Sequence, residues 1–144
     1  MYFSFFSSKN QKLVKQWKRE HEEMVAFANK IILSYSLGDK TSLRKELVGL
    51  RKLAVEHLMQ EDIELFKLLR KSKDLEDEME DLIKEFTETF RDTKSTLLNF
   101  LREYTRENSQ LDKKFFDTFN NIVEVLSKRI EFEENNLYLS LEEK

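Results

Sequence analysis

Five ionisable residues stand at helical positions where the surrounding spacing predicts apolar side chains. His21, His57 and Glu61 interrupt two such patterns, and Arg129 and Glu133 interrupt a third. Because burying an unpaired charge is costly, these side chains are expected to meet one another, a metal ion or water. Imidazole nitrogens and carboxylate oxygens together suit iron, manganese or zinc. The residue types therefore predict a metal site or a buried ion-pair network.

The elements that carry these residues are predicted from the apolar residues around them. Apolar side chains recur at spacings of three and four in four segments, which indicates four amphipathic helices. The third segment runs from Met79 to Tyr104. Short polar breaks at 38–39, 72–74 and 108–109 separate the segments, and Asp39 or Thr41 can cap the second helix. The expected fold is all-α, an antiparallel up-down-up-down four-helix bundle over 1–144, with 1–10 as an N-terminal arm.

Counting residues from the breaks places the five ionisable residues at one height in the bundle. His21 lies 18 residues before position 39 and His57 lies 18 after it, so the two are level in an antiparallel hairpin. The same count brings Arg129 and Glu133 level with the second-helix pair. His57 and Glu61 are four residues apart and share one helix face.

At this point the sequence resembles the hemerythrin-like family, also called the HHE cation-binding domain family. The resemblance is carried by the EHEE run at 20–23, the EHLMQEDIELF run at 56–66 and the RIEFEENNLY run at 129–138. It covers nearly the whole chain in helix order and spacing. It implies a non-haem di-iron centre, in which His21 and His57 correspond to histidines of the first iron. Glu61 and Glu133 correspond to the carboxylates that bridge the two irons.

The position of the second iron departs from the family pattern. Arg129 stands in place of the fourth-helix histidine, and Phe86 and Phe90 stand at the heights where the third helix would supply histidines. These replacements argue against a second iron and against the family's reversible oxygen carriage. Arg129 can donate paired hydrogen bonds to Glu61 or Glu133. The alternative to metal binding is therefore an Arg129–carboxylate network that sets helix register.

The composition of the chain argues against several other classes of function. A net charge of −3 and a pI of about 5.6 argue against a nucleic-acid binder. The chain has no cysteine, which excludes thiolate metal sites and fits a cytoplasmic location. No apolar stretch is long enough to predict a membrane span. The Phe-rich start, which holds Tyr2, Phe3, Phe5 and Phe6, is expected to fold onto the bundle, to be disordered, or to dock a protein partner or a second copy.

Three functions follow from these features. The first is a metal-binding protein with one iron ion, or zinc or manganese, that senses oxygen, another small diatomic ligand, redox state or the metal itself. The second is a metal-free interaction or regulatory module of the same fold. The third is a redox enzyme. It is ranked last because the sequence shows no nucleophile–base pair and no phosphate-binding glycine loop. Glu131 and Glu134, which flank the fourth stripe, are expected to be solvated, and Trp17 is expected in the core.

Overall fold

The computed structural model describes residues 9–71 and 76–142, and all structural statements concern these two ranges. The break predicted at 72–74 and most of the predicted arm at 1–10 lie outside the described residues. Lys9 and Asn10 belong to the first helix. None of the described helices combines the length and apolar character needed to cross a membrane.

The described chain is helical throughout apart from its connections. Two five-residue π-helical turns are inserted without interruption into the second and last long segments. The described helices form four long segments, of which the third is divided into α4 and α5, and this confirms the predicted all-α four-helix architecture. The elements in chain order are α1 (Lys9–Ser36), α2 (Lys40–Gln60), the first π-turn (Glu61–Leu65), α3 (Phe66–Arg70), α4 (Glu76–Thr89), α5 (Thr93–Tyr104), α6 (Lys113–Phe132), the second π-turn (Glu133–Leu137) and α7 (Tyr138–Glu142).

The turn between α1 and α2 is built as the sequence predicts. Gly38 adopts φ +71°, a left-handed conformation that glycine reaches without steric cost. Its N–H bonds the Tyr35 carbonyl at 3.1 Å, and the Asp39 N–H bonds the Ser34 carbonyl at 2.9 Å, which together close the end of α1. The Asp39 side chain then accepts from the Ser42 N–H at 3.1 Å and caps α2. This hairpin fixes the register of the first two helices.

The α1–α2 pair packs closely, and a second glycine shows how closely. A Cβ atom built at Gly49 would lie 2.5 Å from Phe27 Cε1, so any larger side chain would have to displace that ring.

Two further contacts join these helices to the rest of the bundle. Arg44 at the start of α2 donates to the Ser109 carbonyl at 2.6 Å, beyond the end of α5. The Lys18–Glu142 ion pair, at 2.7 Å, joins the first half of α1 to the end of α7. These contacts fit antiparallel neighbours.

The third predicted helix is interrupted, which corrects the expectation of one continuous segment from Met79 to Tyr104. A tight turn at 90–92 separates α4 from α5, and the Thr93 N–H bonds the Phe90 carbonyl three residues back, at 3.1 Å. Asp92 and Thr93 lie at the start of α5. Both residue types compete with the backbone for hydrogen bonds and favour helix starts over helix interiors, so a break there agrees with their chemistry.

The buried apolar residues form two clusters with a polar layer between them. One cluster contains Met24 and Ala54, and the other contains Trp17 and Leu65. His21 therefore lies on α1 between the two clusters. His57 occupies the corresponding place on α2. The hydrophobic effect closes the bundle above and below this layer and removes the layer from water.

Candidate metal centre

Four side chains from three helical segments converge in the polar layer. Each is no more than 2 % exposed, and each offers one ligand atom such that the four atoms lie within 4.8 Å of one another. α1 and α2 supply the imidazoles, and the two π-turns supply the carboxylates. The residues are His21, His57, Glu61 and Glu133. The structure thus brings together all four of the predicted metal ligands.

Both imidazoles are oriented by carboxylates on their outer side. His21 Nδ1 lies 2.7 Å from Glu134 Oε2, and His57 Nδ1 lies 2.7 Å from Glu20 Oε1. A carboxylate is an acceptor, so each Nδ1 carries a proton and donates it. This arrangement fixes the tautomer of both rings and directs each Nε2 towards the centre. Carboxylate–histidine pairs of this kind orient histidine ligands in metal sites.

The inner nitrogens of the two rings face one another. His21 Nε2 and His57 Nε2 are 2.9 Å apart. When both rings are neutral with Nδ1 protonated, both Nε2 atoms present lone pairs, and two lone pairs at this distance repel. A cation between them removes the repulsion, and that cation is either a proton on one ring or a metal ion. A proton and a metal ion therefore compete for the same place.

The two buried carboxylates complete the donor set. Glu61 Oε1 lies 2.5 Å from His57 Nε2, and Glu133 Oε1 lies 3.3 Å from His21 Nε2. Tyr138, itself fully buried, donates its hydroxyl to Glu61 Oε2 at 3.2 Å. Within the described ranges, Glu61 Oε1 and Glu133 Oε2 are buried without a partner of hydrogen-bonding geometry. Such oxygens are available to a cation.

The charges of the metal-free layer follow from its mutual contacts. Burial and the negative charge of Glu61 raise the pKa of Glu133 well above its usual value, which favours its neutral, protonated form. Burial alone would raise the pKa of Glu61 as well, but its close contacts with Glu133 and His57 outweigh burial and lower the pKa to about 2. Burial favours neutral His57, yet Glu61 and Glu20 outweigh it and raise the pKa of His57. Burial and the charge of His57 lower the pKa of His21. These shifts favour an imidazolium–carboxylate pair of His57 and Glu61 beside a neutral His21 and a protonated Glu133.

Arg129 is buried beside this layer, at 6 % exposure. Its Nε lies 3.7 Å from Glu133 Oε2, which is an ion-pair distance but too long for a hydrogen bond. The paired hydrogen bonds expected from Arg129 to Glu61 or Glu133 are therefore not formed among the described residues. Since the raised pKa of Glu133 favours its neutral form, its attraction to Arg129 is weaker than that of a fully charged carboxylate.

The predicted replacements on the third helical segment form an aromatic wall. Phe86 lies on α4 and Phe90 in the turn after it, and both are buried. Their ring centroids are 5.4 Å apart, and Phe132 on α6 lies 5.7 Å from Phe86. The Arg129 guanidinium carbon sits 5.1 Å from the Phe86 ring centre, a cation–π distance. Phenyl rings offer no ligand atom, so this side of the layer is apolar apart from the guanidinium.

Three residues of the site were not assigned a role from sequence. Glu134 was expected to be solvated; its side chain is 30 % exposed, and its Oε2 also lies 2.7 Å from His21 Nδ1. Glu20 and Tyr138 belong to the quoted sequence runs but carry no periodic signal. Glu131, in contrast, is exposed as predicted. The available signal was chemical: a ligating histidine needs a partner for its second nitrogen, and acidic neighbours are the candidates.

One of the comparisons with known proteins identifies a family. Residues 12–141 of the 144-residue chain match the family model described as the hemerythrin HHE cation binding domain. The chain belongs to this hemerythrin family. The comparison with curated proteins finds no match, and neither does the comparison with solved structures. Membership confirms the resemblance on which the transferred ligand positions depend.

In this hemerythrin-family chain the residues present fit a single metal ion. Two imidazole nitrogens and two carboxylate oxygens form a donor set appropriate to a divalent first-row metal. The same four residues also carry the two carboxylate oxygens without hydrogen-bonding partners and the two opposed Nε2 atoms. On the other side, Arg129 and the aromatic wall occupy the heights at which the resemblance places the ligands of a second iron. A second ion would meet a guanidinium and phenyl rings there.

Proposed function

We propose that this chain binds one non-haem iron ion and uses it in a sensing or regulatory role. The proposed ligands are His21, His57, Glu61 and Glu133. The observation that carries the proposal is the 2.9 Å separation of the two Nε2 atoms, with each Nδ1 committed to a carboxylate. Rings held in this way are already oriented for a shared cation, so little reorganisation is needed on binding.

One ion is proposed because the four ligand atoms lie within 4.8 Å of one another. A bound iron ion would supply one-electron redox chemistry and affinity for oxygen or another small diatomic ligand. The chain's own residues exclude bulk water from this place, since all four proposed ligands are buried. Tyr138 holds one oxygen of Glu61, and Glu20 and Glu134 hold the imidazoles, so the donor set keeps its orientation.

The regulatory role is supported by where the proposed ligands sit in the fold. They come from α1, α2 and both π-turns, so one ion would tie together three of the four long helical segments. A ligand that binds only the folded state stabilises it by mass action. Metal binding would therefore make the helical bundle more rigid. Hydrogen–deuterium exchange with and without metal would show this as slower exchange at both π-turns.

The first experiment is elemental analysis of untagged protein, before and after reconstitution with iron(II) without oxygen. About one iron per chain is expected in the native sequence. His57→Ala should abolish binding, and Glu56→Gln serves as a matched control, because Glu56 is an exposed carboxylate on the adjacent position of α2. Zinc or manganese in place of iron would keep the site and change the metal. No bound metal under any of these conditions would refute the proposal.

A second candidate is a metal-free regulatory module, and one observation favours it. The layer is electrostatically self-consistent with protons alone, because an imidazolium on His57 can face Glu61 and His21 at once. Under this candidate, His57→Ala would lower stability equally in the presence and absence of metal. Under the metal proposal, added iron or zinc would stabilise the native chain and leave His57→Ala unchanged.

A further inference from the structure

The Glu20 carboxylate, which holds the imidazole of His57, is itself held on its other side. Glu20 Oε1 lies 2.7 Å from His57 Nδ1, and Glu20 Oε2 accepts a hydrogen bond from Gln16 Nε2 at 3.1 Å. Gln16 stands four residues before Glu20 on α1, so the two side chains share one face of the helix. Both oxygens of this carboxylate therefore have a partner.

Gln16 is in turn fixed by Gln60, the last residue of α2. Gln16 Nε2 also donates to Gln60 Oε1 at 3.2 Å, and Trp17 Nε1 donates to the same oxygen at 3.2 Å. A side-chain amide has two N–H donors on its nitrogen and two lone pairs on its oxygen. Both donors of Gln16 and both lone pairs of Gln60 are thus occupied. Turning either amide over would set donor against donor or acceptor against acceptor, which favours the observed orientations.

The far end of this hydrogen-bonded chain is the indole of Trp17. Trp17 is fully buried and belongs to one of the two apolar clusters. A buried indole N–H needs an acceptor, and the Gln60 side chain provides it. From the indole, the chain of hydrogen bonds crosses three times between α1 and α2 before it reaches the imidazole of His57. The orientation of that imidazole is therefore tied to a ring that cannot move without disturbing the apolar core.

The imidazole of His21 lacks a support of this kind. Glu134 Oε2 lies 2.7 Å from His21 Nδ1, and within 9–71 and 76–142 the Glu134 carboxylate has no second hydrogen-bond partner. The Glu134 side chain is 30 % exposed, against 19 % for Glu20. A carboxylate with one partner and access to water can turn with little loss, whereas Glu20 must break a hydrogen bond to do so. The outer carboxylates of the two histidines thus differ in how firmly they are held.

We propose that Gln16 and Gln60 are positioning residues of the candidate metal centre, which act through Glu20 to hold the His57 imidazole in its metal-binding orientation. Groups that orient a ligating histidine from outside strengthen metal binding, because the ligand then needs less reorganisation. The effect on metal affinity rests on the proposed function, whereas the positioning of His57 does not. The competing explanation is that the two glutamines only satisfy the indole N–H and stabilise the fold.

Gln16→Met separates these explanations, because it removes the hydrogen bond to Glu20 and leaves Gln60 to accept from the indole. Gln60→Met removes the acceptor that both donors share. The matched control is Gln110→Met, which changes an exposed glutamine outside the helices. The measurement is the exchange of the Nδ1 ring protons with water, followed by NMR on ¹⁵N-labelled protein in the presence of a chelator. The chain has two histidines and one tryptophan, so the ring signals are few, and a His21→Gln variant assigns them.

In the native chain and in Gln110→Met, the Nδ1 proton of His57 should exchange more slowly than that of His21. Gln16→Met should speed exchange at His57 about fivefold or more, as expected for the loss of one hydrogen bond, and leave His21 unchanged. The single indole N–H signal should shift in Gln60→Met and stay in place in Gln16→Met. Zinc affinity, measured by competition with a chromophoric chelator, should fall about fivefold in both variants.

Unchanged exchange at His57 in both methionine variants would overturn the proposal. A rise of equal size at both histidines would also overturn it, because a general loss of stability affects the two rings alike. Zinc uptake by the native chain without the selective change at His57 overturns the positioning role and leaves the proposed function standing. A selective change at His57 in a chain that takes up no zinc supports the positioning role and refutes the proposed function.

Discussion

Glu61 and Glu133 are the first residues of the two π-turns, and both are buried to 1 % exposure in the same polar layer. Four residues before each stands another site residue, His57 on α2 and Arg129 on α6. A π-turn is rarely found in proteins and is often located at functional sites. Two π-turns beside one layer indicate that the same kind of local helix distortion positions both carboxylates.

The two carboxylates should nevertheless respond differently to neutralisation in the metal-free protein. Burial and the charge of Glu61 raise the pKa of Glu133, which favours its neutral form. Glu133→Gln should therefore change the free energy of unfolding by only about 0.5 kcal/mol. Glu61→Gln removes the charge that faces His57 and should cost about 2 kcal/mol or more. Urea denaturation in the presence of a chelator measures both.

This pair of isosteric variants also tests the metal proposal. With metal present, both carboxylates are proposed ligands, so the two variants should lose metal affinity to a similar extent. Equal destabilisation of the two variants without metal would contradict the assigned protonation states. The assignment of Glu61 and Glu133 as metal ligands would then still be tested by the metal affinities of the two variants.

Metal uptake should release protons. The raised pKa values of His57 and Glu133 favour their protonated forms in the metal-free protein. A protonated ligand must lose its proton to bind a metal ion, so metal binding should release protons. Metal affinity should accordingly increase with pH. Zinc titration by calorimetry in two buffers of different ionisation enthalpy gives the number released, and a count near zero would contradict the proposed ligands.

The raised pKa of His57 also determines how the stability of the metal-free protein changes with pH. Because the pKa of His57 is raised on folding, its imidazolium stabilises the fold fully below its ordinary pKa of 6.5. This contribution is lost as pH rises through the higher folded-state pKa. The unfolding free energy should fall over that interval in the native chain. His57→Gln should remove that part of the pH dependence.

Much of this site was accessible from sequence because the helical period is regular. Counting from residue 39 was enough to place His21 opposite His57, and the structure puts their Nε2 atoms 2.9 Å apart. The roles of Glu20 and Glu134 were not accessible in the same way. Which carboxylate reaches an Nδ1 atom depends on ring rotation and on the neighbouring helix, and neither is encoded in spacing. The break at 90–92 depends on a local choice of backbone hydrogen bonds, which apolar periodicity does not report.

The hairpin that sets the His21–His57 register has its own test. Gly38→Ala places a Cβ atom on a residue at φ +71°, where such residues are strained, so the unfolding free energy should fall by about 1 kcal/mol. Nothing lies within 4 Å of a Cβ atom built there, so the effect would be one of backbone conformation alone. Gly38→Asn should cost less, because asparagine tolerates this conformation. Equal denaturation midpoints for glycine and alanine would contradict this explanation.

The outer carboxylates should matter for metal binding although they touch no metal. Glu20 and Glu134 each hold an Nδ1–H at 2.7 Å. Alanine at either position removes both the charge and the acceptor, and should weaken metal affinity about 100-fold. Glutamine keeps an acceptor oxygen and loses only the charge, and should weaken affinity about 10-fold. Glu22→Gln is the matched control, because it removes an exposed carboxylate from the same stretch of α1. Competition with a chromophoric zinc chelator gives the affinities. If all three positions behaved alike, the effect would be general surface charge, and the imidazoles would be oriented by packing instead.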